Sequence, residues 1–398
     1  MTAVEQDSQL DSASGWLAVA AAFVSTFTAF GVAYSFGSFF GPMAVEFGSD
    51  RSATALFFSI TAFLYFSLGV VSGRICDRVG PRPVLAFGTI CMVIGLLLTS
   101  QVQNLWVGYL TYGVGVGIGV ACAYVPMVAT VGLWFERQRS AALGVAVAGI
   151  GVGTLVMAPV AEWLIDRNGW RNAYIYFAVG TTVLMALAMV GAKRPQGSIA
   201  ETEPPPPLLG VVKGSRTFAL MYASNIALVL ALFIPFVFLG DYLQQNEVSG
   251  SAGLLVGIIG LASVLGRLGL GALAASFKAI RLYQGSFLVI ALSFLIWLGA
   301  GDSYTMLVVF TIVMGVAYGG FIALGPAVSA DIFGPVGLGG VLGALYTAAG
   351  VGGLVGPPVA GELIDRFGYP PTLLVALCFA LVGFAILLPL EASAPREL

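Results

Sequence analysis

The side chain with the most chemistry to offer is an arginine set in an apolar stretch. Of the 17 Lys and Arg and the 19 Asp and Glu in the chain, every one but Arg267 falls in a loop, a tail or the end of a hydrophobic run. Arg267 lies near the centre of the run 251–277. A cation at such depth in hydrocarbon costs several kcal/mol and is ordinarily kept for function. No acidic residue lies deep in any run, so an internal ion pair lacks an evident partner. Two readings stay open: backbone carbonyls and water satisfy the guanidinium, or its counter-anion is a substrate. The planar, permanently charged fork matches a carboxylate, so the second reading makes the cargo a small organic anion.

Ser263 precedes Arg267 by one helical turn on the same face. It either donates to a second oxygen of the anion or bonds back to its own helix. Tyr34, Tyr124, Tyr318 and Tyr346 sit inside apolar runs, where a hydroxyl must find a partner or water. They are the candidates to line a cavity, with packing as the alternative use of each. Phe and aliphatic residues dominate the remaining positions, which suits an anion with an organic tail. Histidine is absent, and Cys76, Cys91, Cys122 and Cys378 are scattered singly. The pattern therefore predicts no metal site and no cofactor. It shows no nucleophile and base paired within a run either, so the chain does not read as an enzyme.

The elements that must hold these groups follow from composition. The 398 residues are 59% hydrophobic and 9% charged, against about 25% charged in an ordinary soluble domain. A bilayer-spanning helix needs about 20 apolar residues. Charge-free runs at 16–43, 54–73, 83–100, 105–133, 140–161, 172–192, 217–240, 251–277, 282–301, 304–330, 336–361 and 370–390 predict an all-α membrane protein of twelve spans. Segment 193–216, with both signs of charge and the run Pro204–Pro207, reads as a linker. It divides an N-terminal bundle (1–192) from a C-terminal one (217–398). Twelve Lys and Arg outside the spans fall on the side of the termini and four, Arg51, Arg167, Arg171 and Arg366, on the other. That bias predicts a multi-pass protein of the inner (plasma) membrane with both termini cytoplasmic. A net charge of −2 leaves no basic face for nucleic acid.

The chain also repeats itself. Shifted by 199 residues, 143–170 falls on 342–369 with 15 identities, including Leu164-Ile-Asp-Arg167 on Leu363-Ile-Asp-Arg366 and Pro159 on Pro358. Two pseudo-symmetric six-helix halves around a midplane site describe a secondary transporter working by alternating access.

These segments resemble the major facilitator superfamily and, within it, the monocarboxylate transporter family, over nearly the whole chain. Residues 73–82, GRICDRVGPR, are similar to the superfamily's loop motif, whose Asp and Arg act as a conformational latch; Asp77, Arg78 and Arg82 match it. The second-half counterpart, 271–278, has lost the Asp-Arg pair. Trp134 to Arg139 followed by the small residues of 141–149 resembles the family's fifth-helix signature, and 225–242 is similar to its seventh helix. The first-helix signature survives as Gly15-Trp16. The resemblance implies that Arg267 binds a substrate carboxylate and that the cargo is a small monocarboxylate of the lactate and pyruvate kind. It further implies proton-coupled symport by a rocking motion, with the carrier working as a monomer. Animal members carry an aspartate where this chain has Ser263 and a lysine where it has Ser38, so the family's route for the proton is missing. The candidates left to carry a proton are the substrate itself and rim acids such as Asp241 and Asp331. Two alternatives share the fold: an exchanger of the oxalate:formate type, which pairs its arginine with an eleventh-helix lysine absent from 336–361, and a multidrug or sugar facilitator.

Overall fold

A computed structural model describes residues 12–195, 215–334 and 338–390. The linker run Pro204–Pro207, the acidic start of the chain and residues 391–398 lie outside the described residues. Within them the secondary structure is helical throughout.

The helices follow the apolar runs, and prolines and glycines set their breaks. Helix α1 (Ala13–Tyr34) hands over at Ser35 to α2 (Phe36–Phe47). Next come α3 (Arg51–Val79), α4 (Pro81–Thr99), and α5 (Leu105–Gly108), which continues through a π-helical turn, Tyr109–Val114, into α6 (Gly115–Ala123) and α7 (Val125–Gly132). Helix α8 (Arg139–Gly191) is followed by α9 (Arg216–Leu232), α10 (Ile234–Gln245), α11 (Ala252–Leu273), α12 (Ala279–Leu298), α13 (Tyr304–Phe333), α14 (Leu338–Phe367) and α15 (Tyr369–Leu387). Pro126 and Pro235 stand in the first turns of α7 and α10, where a missing N–H is harmless. The same missing donor interrupts the preceding ladder, at Tyr124 and at Phe233.

Eleven helices among the described residues are long and apolar enough to cross a membrane, against the twelve runs read from the sequence. The difference lies in α8, which contains both 140–161 and 172–192. It is broken at Gly169, whose φ of 77° and ψ of 156° are not helical.

Helices before residue 195 pack chiefly on one another, as do those after 215. Two long helix pairs join the sets, α3 along α14 and α8 along α11, with α2 on α10 a smaller third contact. The α8–α11 pair approaches at backbone distance. A Cβ at Gly151 would collide with Gly260 O, and one at Gly260 with Thr154.

On the face opposite the described chain ends, polar contacts tie the sets together. Arg51 Nε meets Asp241 Oδ2 at 2.8 Å and its Nη1 meets Asp365 Oδ1 at 2.6 Å. Glu162 of α8 caps the start of α11, accepting from Gly253 N at 2.9 Å, Ala252 N at 3.3 Å and the Ser251 hydroxyl. A carboxylate at a helix N-terminus satisfies donors that the helix itself leaves open. Nearer the chain ends, two of the segments that carry the family resemblance meet. The Trp16 ring stands 5.3 Å from that of Phe135, and Trp134 Nε1 donates to Lys193 O at 2.8 Å.

Candidate functional site

Three helix breaks converge on one cavity. Tyr34, Tyr124 and Phe233, each at the junction of two shorter helices, all line it. Phe233 follows Tyr34 by the repeat length of 199, so two of the breaks are copies of each other. Broken helices are tolerated at membrane depth where they line a cavity. The cavity holds about 70 Å³. Helices from both sets wall it: Phe30, Tyr65, Phe66 and Ile150 from the first, Met221, Asn225, Phe321 and Leu345 from the second.

The four tyrosines named from the sequence, Tyr34, Tyr124, Tyr318 and Tyr346, all lie on this wall. Tyr34 and Tyr318 join across the two sets by a 2.9 Å hydrogen bond between hydroxyls, and Tyr65 approaches Tyr34 at 3.4 Å. Tyr124 packs edge-on to Phe30, and Tyr346 faces Phe66 at 6.1 Å. The hydroxyls of Tyr124 and Tyr346 have no hydrogen-bond partner among the described residues.

Arg267 is set back from the wall. Its Nη1 donates to Val147 O on α8 at 2.8 Å, while Nε and Nη2 are buried with no acceptor. Among the described residues it makes no ion pair. Its helix is in backbone contact with the segment that carries Tyr318: a Cβ at Gly319 would stand 2.9 Å from Arg267 N. Buried donors of a cation left unmade cost on the order of 1–3 kcal/mol or more each. Gly319 lets α13 press against α11 at this level, since a Cβ there would strike Ser263 O. Ser263 is 1% exposed and its hydroxyl donates to Gly260 O at 2.7 Å, within its own helix. It is not among the lining residues.

The loop residues read as a latch act within the first helix set. Arg82 donates from Nε and Nη2 to Met189 O and Val190 O at 2.9 and 2.8 Å, capping the end of α8. The Asp77 carboxylate stands 3.9 Å from Arg194, whose Nη1 donates to Asp77 O at 2.9 Å. Arg78 stands exposed in the last turn of α3. Of the rim acids, Asp241 is held by Arg51 and by the Tyr369 hydroxyl at 2.6 Å, and Asp331 is exposed. Ser38 Oγ donates to Ala158 O at 3.3 Å, well away from the cavity.

Sequence reasoning missed Tyr65, Tyr283 and Asn225. Tyr283 donates to Asn225 Oδ1 at 3.2 Å, and both line the cavity. The polar atom of Asn225 inside an apolar run was the one signal that pointed to it.

A profile of the Major Facilitator Superfamily matches residues 22–301 and again 227–398. The chain belongs to that superfamily. Monocarboxylate transporter 3 of Rattus norvegicus is 32% identical over 370 residues, covering 89% of this chain and 75% of that protein. Monocarboxylate transporter 13 of the same species is 28% identical over 96% of this chain and 90% of its own length. A protein of Gibberella fujikuroi described as a fujikurins efflux protein is 29% identical over 94% of this chain and 82% of its own. These relatives are transporters and not enzymes. Among solved structures, the nucleoside transporter NupG superposes over 94% of this chain with a TM-score of 0.73 at 14% identity, a likeness of fold alone.

Proposed function

We propose that this facilitator carries small monocarboxylates of the lactate and pyruvate kind, with the carboxylate bound by Arg267. One observation carries the reading: a guanidinium buried between the two helix sets uses one nitrogen on a carbonyl and leaves Nε and Nη2 unmet. Two adjacent donors of one guanidinium edge match the two oxygens of a carboxylate. A monoanion there would complete the hydrogen bonds and cancel the charge together. The hydroxyls of Tyr34, Tyr124 and Tyr318, on the cavity wall, would supply further donors.

The transport cycle we propose has twelve spans, with the break at Gly169 dividing α8 into two, arranged as two six-helix halves, 1–192 and 217–398, joined by the linker. These halves rock about Arg267 in the plasma membrane with both termini in the cytoplasm. A proton travelling with the anion would make the cycle electroneutral. Loss of the α8–α11 and α3–α14 contacts at one face would open the site to that side.

Purified protein in liposomes tests this directly. With an inward pH gradient, labelled lactate or pyruvate should accumulate, and Arg267→Ala should abolish accumulation while the protein still inserts and elutes as a single species. Uptake that persists in the Arg267→Ala carrier overturns the assignment.

A further inference from the structure

The cavity is much longer than a three-carbon acid. Along α13 its wall runs from Tyr318, whose neighbour Gly319 packs on Arg267 N, to Ser329, eleven residues and so roughly 16 Å of helix axis. Of its 22 lining residues ten are aromatic and none is charged. Two polar side chains at the far end are already engaged: Ser329 donates to Gly325 O at 2.8 Å, and Asn225 is shared between Met221 O at 2.9 Å and the Tyr283 hydroxyl. That end therefore offers rings and methyls to a ligand.

The rings there are ordered against one another. Tyr283 and Phe321 stack with centroids 5.8 Å apart at 19°, and Phe66 faces Tyr346 across the two helix sets. Flat side chains held by such contacts leave a space bounded by ring faces and edges, which suits another ring, because aromatic pairs gain from offset and edge contacts beyond the area they bury. The unmet hydroxyls of Tyr124 and Tyr346 flank this space.

We infer that the preferred cargo is a monocarboxylate bearing an aromatic ring, its carboxylate at Arg267 and its ring among Phe66, Tyr283, Phe321 and Tyr346. This rests on the carboxylate reading above and specifies the tail that the head group carries. Lactate and pyruvate occupy only the Arg267 end; adding a phenyl group to either extends it along the aromatic wall.

Thermal-shift titration and liposome uptake with matched pairs test the inference: pyruvate against phenylpyruvate, lactate against 3-phenyllactate. Burial of a ring-sized apolar group should make each phenyl member bind about tenfold tighter or more, with competition against labelled pyruvate at correspondingly lower concentration. Phe321→Ala should pull that ratio back toward one. If the phenyl acids bind no better than the three-carbon acids while Arg267 dependence holds, the inference fails, the long wall is merely a passage, and the carboxylate reading stands. A cyclohexyl analogue binding as tightly as its phenyl counterpart also overturns it, since apolar volume would then suffice. If neither member of either pair binds in an Arg267-dependent way, the carboxylate reading falls with it.

Discussion

At the scale of single residues, two side chains one turn apart on α11 divide sharply in role. Arg267 has buried donors to spare, whereas Ser263 has already given its single proton to Gly260 O. Replacing Arg267 by Lys keeps the charge and removes the planar edge, so the carrier should lose at least about tenfold in apparent affinity for pyruvate, read by competition uptake. Ser263→Ala removes a hydroxyl whose bond is local; it should leave that affinity within about threefold and alter the melting temperature by only a few degrees. A larger loss in Ser263→Ala would mean the hydroxyl turns toward the ligand during the cycle. Arg267 was legible in the sequence because a charge in an apolar run breaks a strong pattern. Tyr65 and Tyr283 were not, since a tyrosine fits an apolar run whether its hydroxyl faces a cavity or a packed neighbour.

At the scale of elements, the pairing of α8 with α11 decides where Arg267 stands. The two backbones touch at Gly151 and Gly260, four residues from Val147 and seven from Arg267 respectively. A larger residue at either glycine pushes the helices apart and carries Arg267 Nη1 away from Val147 O. Gly151→Leu should therefore reduce uptake by an order of magnitude or more while the protein still inserts, because overpacking of this kind costs about 1–3 kcal/mol. Full uptake in that variant would show that the close approach is dispensable. Helix positions were readable from apolar runs, and the long repeat pointed to paired halves. The handover at Ser35 was not readable, because no proline marks it, whereas its counterpart at Phe233 is marked by Pro235 two residues on. The break at Gly169 has a clearer signal, a glycine after Asn168 between two apolar runs, and it separates the two runs that α8 contains.

At the scale of the whole molecule, polar contacts tie the two helix sets at the face predicted to lie outside, and the ties differ between the two copies of the sequence repeat. Glu162 reaches over the N-terminus of α11; its repeat mate is Gly361, which sits against the backbone of Ser52 at the start of α3 with no carboxylate to offer. On that side the work passes to Arg51, bound to both Asp241 and Asp365. Neither tie could be read from the sequence, where all four charges look like ordinary span ends. Arg51 is 26% exposed and its partners 14% and 27%, so solvent screens the pairs and each contributes modestly. Losing both ties at once should still move a balanced two-state equilibrium. With the four native cysteines replaced and Cys placed at Ser38, which lines a polar hollow beside Glu162 on this face, a water-soluble maleimide reports opening. Arg51→Ala combined with Glu162→Gln should raise the labelling rate about tenfold, the shift that about 1.4 kcal/mol produces, and each single change should raise it less. A labelling rate unmoved by the double change would show that helix packing along α3–α14 and α8–α11 alone holds this face shut.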